Sequence, residues 1–219
     1  MDNLNLTELK EKVHQSLVNT GCDNFLLAVS GGVDSLFLLR VINELSHQYK
    51  YNIRAIHVNH NFSLNSEHME NYCVNTCKEY DVEIIIESLD NTVKSNIEDH
   101  FRNQRYRKIF AVMEDNEALV LGHHFDDQIE TFFYRLFRGS SPIGLSSMKD
   151  ISERDNRIIC RPLLSFSKKT IEKYAEEEKI KFIHDTTNNN TDFDRNYIRK
   201  KIIPPIKARW AGFSEVMKH

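Results

Sequence analysis

The stretch FLLAVSGGVDSLFLL, residues 25–39, decides the fold of this chain. Its first five residues form a short apolar run, typical of a buried β-strand. The glycine-containing string SGGVDS (30–35) joins this run to a second apolar segment with helical spacing. A strand, a short glycine loop and a helix in this order predict the first β-α unit of an α/β fold.

The same alternation continues through the first half of the chain. We predict helices at residues 6–19, 66–79, 95–115 and 126–138, and further strands at 53–58, 82–87 and 118–122. We expect these strands, which are joined by helices, to be buried on both faces, as in a parallel sheet covered by helices on both sides. A short strand within residues 157–164 completes the doubly wound, five-stranded parallel sheet that we expect.

The second half of the chain is less regular. It contains a loop at 139–148, a helix at 168–179 and a polar loop at 184–196. A last helix within 196–206 should be stopped by Pro204 and Pro205. We expect one domain over residues 1–219, with its core at 20–165 and a helical and loop part at 166–219.

The composition is that of an ordinary globular protein. The chain has 219 residues, of which 40% are hydrophobic and 28% are charged. It contains no apolar run of the ~18–20 residues that a membrane span needs. The polar, helical start is no secretory signal. The four cysteines form no CxxC pair, which argues against a disulfide scaffold or a zinc finger. A cytoplasmic enzyme fits these features best.

The SGGVDS loop has the features of a pyrophosphate-binding turn. Glycines and a new helix N-terminus present free N–H groups to an anion. A carboxylate beside phosphates needs a bridging cation, so Asp34 predicts Mg²⁺. The predicted ATP-binding residues are Ser30, Gly31, Gly32, Val33, Asp34 and Ser35. A glycine turn with an ordinary cap is the alternative. A second phosphate loop at 139–146 is rejected, because Leu145 stands where a Walker A loop has lysine.

A string of acids, HHFDDQIET (123–131), follows the fourth predicted strand. Asp126 and Glu130 are four residues apart and share one helix face, with Asp127 beside them. These carboxylates repel one another unless Mg²⁺, a substrate ammonium or an arginine compensates. Acids in a first helical turn are also favoured by the helix dipole alone. Zinc binding by the two adjacent histidines is disfavoured, because neighbouring residues on a helix point apart.

Two arginines, Arg102 and Arg105, lie three residues apart on the predicted helix 95–115, with Tyr106 next to them. Paired guanidiniums suit a phosphate or a carboxylate. An exposed face with a pair between Glu98 and Arg102 is the alternative. The histidines of HVNH (57–60) end a strand where an adenine or ribose could bind, but satisfied loop histidines fit equally well.

The charge of the chain is uneven. The net charge is −3, yet residues 195–219 hold seven lysines and arginines and one glutamate. A basic tail on an acidic body can meet a phosphate backbone locally. The alternative is a solvated helix face.

Several strings resemble the PP-loop ATP pyrophosphatases and, among these, the tRNA(Ile)-lysidine synthetase family. They are LLAVSGGVDSLFLL (26–39), HVNH (57–60), NIEDHFRNQRYRKIF (96–110), LGHHFDDQIETFFYRLFRGSSPIGLSSM (121–148), RPLL (161–164) and HDTTNNNTDFDRNYIRKKIIPPI (184–206). The first string indicates only the superfamily, whereas residues 126–145 and the RNYIR string at 195–199 indicate the lysidine branch. Asp99, His100 and Phe101 depart from the family, which usually has a small residue and an arginine before Arg102.

The resemblance implies a two-step reaction. ATP adenylates the C2 oxygen of the wobble cytidine in the CAU anticodon of tRNA(Ile), and pyrophosphate leaves. The ε-amine of free L-lysine then attacks C2, and AMP leaves. The family usually continues into tRNA-handling domains, so this chain resembles the catalytic domain alone. A homodimer is left open.

The residue chemistry and the resemblance together give each candidate residue a role. We expect Asp34, Arg102, Asp126 and Asp127 to be catalytic, and Asp126 and Glu130 to bind lysine. The predicted tRNA contacts are Arg105, Arg195, Arg199, Lys200, Lys201 and Lys207. Three alternatives stay open: thiolation of a tRNA cytidine, which the missing CxxC argues against, adenylation of a small molecule, and a nucleotide sensor without enzymatic activity.

Overall fold

The computed structural model of this chain describes residues 5–60, 66–89, 97–146, 148–183 and 190–218. Its α-helices are α1 (Leu6–Val18), α2 (Val33–Tyr49), α3 (Ser66–Glu79), α4 (Ile97–Val112), α5 (Phe125–Phe137), α6 (Lys168–Glu177), α7 (Asp194–Tyr197), α8 (Ile203–Arg209) and α9 (Phe213–Val216). Its strands are β1 (Asn24–Ala28), β2 (Asn52–Asn59), β3 (Glu83–Ser88), β4 (Glu117–Val120), β5 (Ile151–Arg154) and β6 (Arg157–Cys160).

The strands form one sheet in the order β3-β2-β1-β4-β6-β5. Five of them pair in parallel, as predicted, and β5 adds an antiparallel edge strand beside β6. The expected count of five strands was therefore one too low. The hairpin turn consists of Asp155 and Asn156, which both have positive φ. Aspartate and asparagine tolerate this geometry, but the pair is a weaker turn signal than one that contains glycine.

Helices cover both faces of the sheet, which confirms the doubly wound fold. Along β1, Phe25 and Leu27 point into a core shared with α1, α2, α3 and α6. Leu26, between them, points into a second core shared with α4. This is the alternation of side chains that a strand buried on both faces requires. Among the described residues, no helix is long and apolar enough to cross a membrane.

The sheet order places a switch point beside β1. The chain leaves β1 toward β2 on one side and returns to β4 on the other. At such a point the loops that follow two neighbouring strands diverge and leave a crevice at their carboxyl ends. The glycine loop follows β1 and the acidic string follows β4, so both predicted motifs lie at this crevice.

The prolines near the end of the chain do not stop a helix, so that prediction was wrong. A π-helical segment, Ile198–Ile202, follows α7, and Pro204 and Pro205 lie in the first turn of α8. Proline fits a first turn because the backbone N–H that it lacks has no partner within the helix there. The wide π-helical turn lets the helical path continue into this new start. Residues 184–189 of the predicted polar loop lie outside the described residues.

Candidate active site

The glycine loop after β1 has the geometry of an anion-binding turn. Gly31 adopts a φ of +82°, in the left-handed region that glycine favours. The Ser35 hydroxyl accepts a hydrogen bond from the Ser30 backbone N–H at 3.0 Å and donates one to the Gly32 carbonyl at 3.0 Å. Gly32, which precedes α2, has no side chain that could cap the helix. The first N–H groups of α2 are therefore available to a bound anion.

Asp34 lies in the first turn of α2 and faces the end of β4. Its Oδ2 accepts a hydrogen bond from Lys168 Nζ at 2.5 Å. Its Oδ1 is buried and has no hydrogen-bond partner in the described part of the chain. His124 Nε2 lies 3.8 Å from Oδ1. A buried polar atom without a hydrogen-bond partner destabilises the folded state, so we expect this oxygen to bind a ligand.

The Asp34 site fits a hard cation that takes most of its ligands from phosphate. Carboxylate oxygen is the donor that such cations prefer, and one carboxylate suffices when phosphates supply further oxygens. Within the described residues, no group of three or more His, Cys, Asp or Glu side chains could hold a metal ion by itself.

Gly122 keeps β4 close to this turn. A Cβ built at Gly122 would lie 3.3 Å from the backbone carbon of Asp34 and 3.3 Å from the Ser35 nitrogen. Both are backbone atoms, which cannot rotate away as a side chain can. The glycine therefore allows the close approach that brings the acidic string next to the glycine loop.

Asp126 and Asp127 of α5 have different surroundings. Asp127 Oδ2 accepts a hydrogen bond from the His124 backbone N–H at 2.9 Å, so Asp127 caps the helix start, as the helix-dipole alternative predicted. Asp126 accepts hydrogen bonds from the Lys168 backbone N–H at 2.8 Å and from Lys207 Nζ at 3.0 Å. Burial opposes ionisation of Asp126, but these two donors hold its pKa below the ordinary value.

Glu130 is almost completely buried and pairs with Arg199. The guanidinium makes two hydrogen bonds to the carboxylate, Nε to Oε1 at 2.5 Å and Nη2 to Oε2 at 2.9 Å. Burial raises the pKa of Glu130, and Arg199 opposes this shift. The sequence left open whether Mg²⁺, a substrate ammonium or an arginine compensates the acids. At Glu130 the compensating charge is an arginine.

Two of the cations predicted to contact tRNA thus form ion pairs with acids of α5. Arg199 contacts Glu130, and Lys207 contacts Asp126. Lys200 and Lys201, between them, are exposed. The basic tail is therefore neither one continuous surface nor a fully solvated face.

A group of arginines lies on the other side of the acidic string, around His123. Arg102 and Arg105 of α4 belong to it, together with Arg161 and Arg195. Arg135 lies near Arg102 and Arg195. Burial lowers the pKa of Arg105, and the charges of Arg102 and Arg195 lower it further. Burial and the surrounding arginines hold the pKa of His123 well below its ordinary value, so the ring is neutral. Repulsion between these cations makes the region attractive to an anion.

Other predicted candidates belong to the supporting structure. Tyr106 is 3% exposed and lies in the second core, under the guanidinium of Arg154 at 4.3 Å. His57 is buried, and its Nδ1 lies 2.9 Å from the Val29 carbonyl oxygen. Burial lowers the pKa of His57, so a neutral ring donates this hydrogen bond. It corresponds to the satisfied histidine that was one of the two sequence alternatives.

Sequence reasoning missed Lys168 and Arg135. Lys168 contacts Asp34 across 134 positions of the sequence, and no local pattern joins the two residues. One signal was present: Lys168 and Lys169 open α6, where the helix dipole disfavours cations. A lysine in that unfavourable place suggests an acidic partner from elsewhere in the chain.

The comparisons with known proteins agree with this geometry. A family model described as the PP-loop domain matches residues 5–206. A tRNA(Ile)-lysidine synthase of Buchnera aphidicola subsp. Schizaphis graminum is 42% identical over 192 residues, which are 86% of this chain and 43% of that protein. The enzyme of that name from Haemophilus influenzae (strain 86-028NP) is 36% identical over 94% of this chain and 49% of that protein. The chain thus spans about half the length of these curated relatives.

Solved structures share the fold at low sequence identity. The U34-tRNA thiolase NcsA from Methanococcus maripaludis, solved with its [4Fe-4S] cluster, superposes with a TM-score of 0.77 at 21% identity, over 97% of this chain and 76% of that one. The NH3-dependent NAD synthetase from Campylobacter jejuni gives 0.53 at 13% identity, over 98% and 95%. The glycine loop at the switch point, the doubly wound sheet and the match over residues 5–206 together show that the chain belongs to the PP-loop domain family.

Proposed function

We propose that this chain carries the catalytic site of a tRNA(Ile)-lysidine synthetase. In the proposed reaction, the C2 oxygen of the wobble cytidine attacks the α-phosphorus of ATP and pyrophosphate leaves. The lysine ε-amine then attacks C2, and the C–O bond to AMP breaks. One observation carries the proposal: anion-binding and ammonium-binding groups meet at the same crevice. The relatives named tRNA(Ile)-lysidine synthase support it at 36–42% identity.

The ATP side of the site consists of the glycine loop and α2. Residues 30–35 would bind the pyrophosphate part of ATP mainly through backbone N–H groups, which the Ser35 hydroxyl helps to position. Asp34 would hold Mg²⁺ together with phosphate oxygens, and the ion would neutralise phosphate charge. The Oδ1 of Asp34 supports this role, since it is buried and has no hydrogen-bond partner among the described residues.

The arginines supply positive charge where the reaction develops negative charge. Arg102 is the first candidate and Arg105 the second, because both lie in the region of cations beside His123. A preorganised cation that meets charge developing in the transition state lowers the barrier. We therefore assign adenylation mainly to Arg102.

The lysine side of the site is the acidic face of α5. Asp126 already binds a primary ammonium, since Lys207 Nζ lies 3.0 Å from its Oδ1. This contact supports a carboxylate site suited to the ε-ammonium of free lysine, formed by Asp126 and Glu130 with Asp127 beside them. The substrate ammonium must lose a proton before it attacks, and a carboxylate can help to accept that proton.

The tRNA side includes the exposed Lys200 and Lys201 and the half-buried Arg105 and Arg195. The other two predicted tRNA contacts, Arg199 and Lys207, pair with Glu130 and Asp126. Phosphate contacts of this kind position an RNA without reading its sequence. We place the chain in the cytoplasm as one PP-loop domain with its core at residues 20–165. A homodimer stays a further option for its assembly.

The thiolation alternative lacks support from the cysteines. Cys73, Cys77 and Cys160 are buried, and burial raises the pKa of Cys73 and of Cys77 to about 12. Thiols with such pKa values are poor nucleophiles and poor cluster ligands at neutral pH.

A direct assay tests the proposed function. The chain is incubated with ATP, Mg²⁺, L-lysine and a tRNA(Ile) transcript, and the digested nucleosides are analysed by mass spectrometry. We expect lysidine only when lysine and ATP are both present. We also expect Asp34→Asn to abolish it while the melting temperature is kept. Pyrophosphate release without any change in the nucleoside would instead indicate adenylation of another substrate.

A further inference from the structure

Lys168 occupies the place next to Asp34 where a bridging cation is expected. Its Nζ lies 2.5 Å from Asp34 Oδ2, and both side chains are partly buried. The ammonium thus neutralises the one carboxylate in the glycine loop. Without it, Asp34 would place a negative charge within the region that should receive phosphates.

The position of Lys168 is unfavourable for any purely local role. It is the first residue of α6, where the helix dipole repels a cation. Its backbone N–H is held by Asp126 Oδ2 at 2.8 Å, which fixes the start of α6 beside α5. The side chain therefore extends from an anchored backbone toward Asp34. One residue thus links the glycine loop to the acidic face of α5.

We propose that Lys168 is a positioning residue that serves as the resident cation of the phosphate loop. In the nucleotide-free protein it holds Asp34, and it gives way when a divalent cation arrives with the pyrophosphate group. This inference rests on the proposed function for the identity of the nucleotide. Charge favours the exchange, because a divalent ion and an ammonium on the two oxygens of one carboxylate repel each other at such short range.

The exchange has two opposite consequences for binding. Lys168 competes with a metal ion for Asp34, so its removal should strengthen metal binding to the nucleotide-free protein. Lys168 also shields metal-free ATP from Asp34, so its removal should weaken ATP binding when no metal is present. A residue that only stabilises the fold would produce neither effect.

The first experiment measures Mn²⁺ binding to the nucleotide-free protein by electron paramagnetic resonance. We expect Lys168→Met to lower the dissociation constant of Mn²⁺ by about tenfold. Lys168→Arg should behave like the wild type, because it keeps the cation. Lys169→Met is the matched control, since it is the next residue of α6 and has no contact with Asp34 among the described residues. Adding Asp34→Asn to Lys168→Met should remove the gain.

The second experiment compares ATP binding by calorimetry in EDTA and in Mg²⁺. We divide the dissociation constant of ATP in EDTA by that in Mg²⁺. We expect this ratio to be about tenfold or more higher in Lys168→Met than in the wild type. An unchanged Mn²⁺ affinity in a folded Lys168→Met protein would overturn the role of Lys168. If the wild type binds no ATP in either solution, the proposed function fails, and the Mn²⁺ measurement still decides the role of Lys168.

Discussion

The loss of a cation partner should affect stability differently at three carboxylates, those of Asp126, Asp34 and Glu130. Asp34 and Asp126 are only partly buried, so water can replace a lost partner at either carboxylate. The Glu130 side chain is 2% exposed, while the Arg199 side chain is 42% exposed. A buried carboxylate without its partner is much more costly than a lost surface pair. Glu130 and Arg199 are therefore the pair whose rupture the fold should feel most.

We predict that Arg199→Ala destabilises the protein by about 3 kcal/mol, near the lower end for a broken buried pair because Arg199 is partly exposed. The pKa of Glu130 is above its ordinary value even with the guanidinium present, and without it burial and the charge of Asp127 raise the pKa further. The folded state then binds a proton that the unfolded state releases, so stability falls as pH rises above the unfolded pKa of Glu, about 4.3. Urea unfolding at pH 5 and pH 8 should show a larger loss at pH 8.

Two variants separate this effect from a general loss of charge in the tail. Arg209→Ala removes an exposed cation of α8 and should leave stability nearly unchanged. Adding Glu130→Gln to Arg199→Ala should recover part of the loss and abolish its pH dependence. A loss that is equal at the two pH values would show that Glu130 is not the cause.

Among the elements, the approach of β4 to α2 determines where the site forms. The two motifs come from separate β-α units, and a Cβ at Gly122 would lie 3.3 Å from backbone atoms of Asp34 and Ser35. A side chain there would separate the glycine loop from the acidic string.

We expect Gly122→Ala to destabilise the protein by about 1–2 kcal/mol, as overpacking against backbone does. We also expect it to weaken ATP binding, because the first turn of α2 must shift to accommodate the methyl group. Gly212→Ala is the matched control, since a Cβ there would meet no atom within 4 Å and the residue has a negative φ. Chemical denaturation and ATP titration of both variants test this. Normal ATP affinity in Gly122→Ala would show that the approach is not needed for the loop.

At this scale the sequence predicted the elements better than their contacts. β1 and the glycine loop were predictable because apolar runs and glycines carry local physical signals. The hairpin turn at Asp155 and the helix start beside Pro204 were not predictable. The local sequence signal for each is weak, and the neighbouring elements determine the structure there. The pairing of Lys168 with Asp34 could not be predicted from the local sequence at all, since only the folded sheet brings α6 to α2.

Over the whole molecule, some cations of the basic tail pair with acids of α5 and others lie on the surface. Arg199 and Lys207 neutralise acids of α5, whereas Lys200 and Lys201 remain on the surface near the carboxyl edge of the sheet. Lys200 and Lys201 are exposed and can reach an RNA backbone, whereas Arg199 and Lys207 would first have to leave Glu130 and Asp126. The salt dependence of tRNA binding should therefore depend on a small part of the tail.

Replacing Lys200 and Lys201 with Gln should flatten the plot of log affinity for tRNA against log salt by about 1.5, since each lost phosphate contact removes roughly 0.7–0.9 from the slope. Lys50→Gln with Lys78→Gln is the control of equal charge, because both residues are exposed at the opposite edge of the sheet, near the starts of β2 and β3. Fluorescence anisotropy with a labelled tRNA between low and physiological salt gives both slopes.

Equal slopes for the two double variants would indicate a general effect of net charge, whereas a change confined to Lys200 and Lys201 would locate the phosphate contact at the π-helical segment. Lys207→Gln should leave the slope nearly unchanged and instead alter the lysine requirement, since its partner is Asp126.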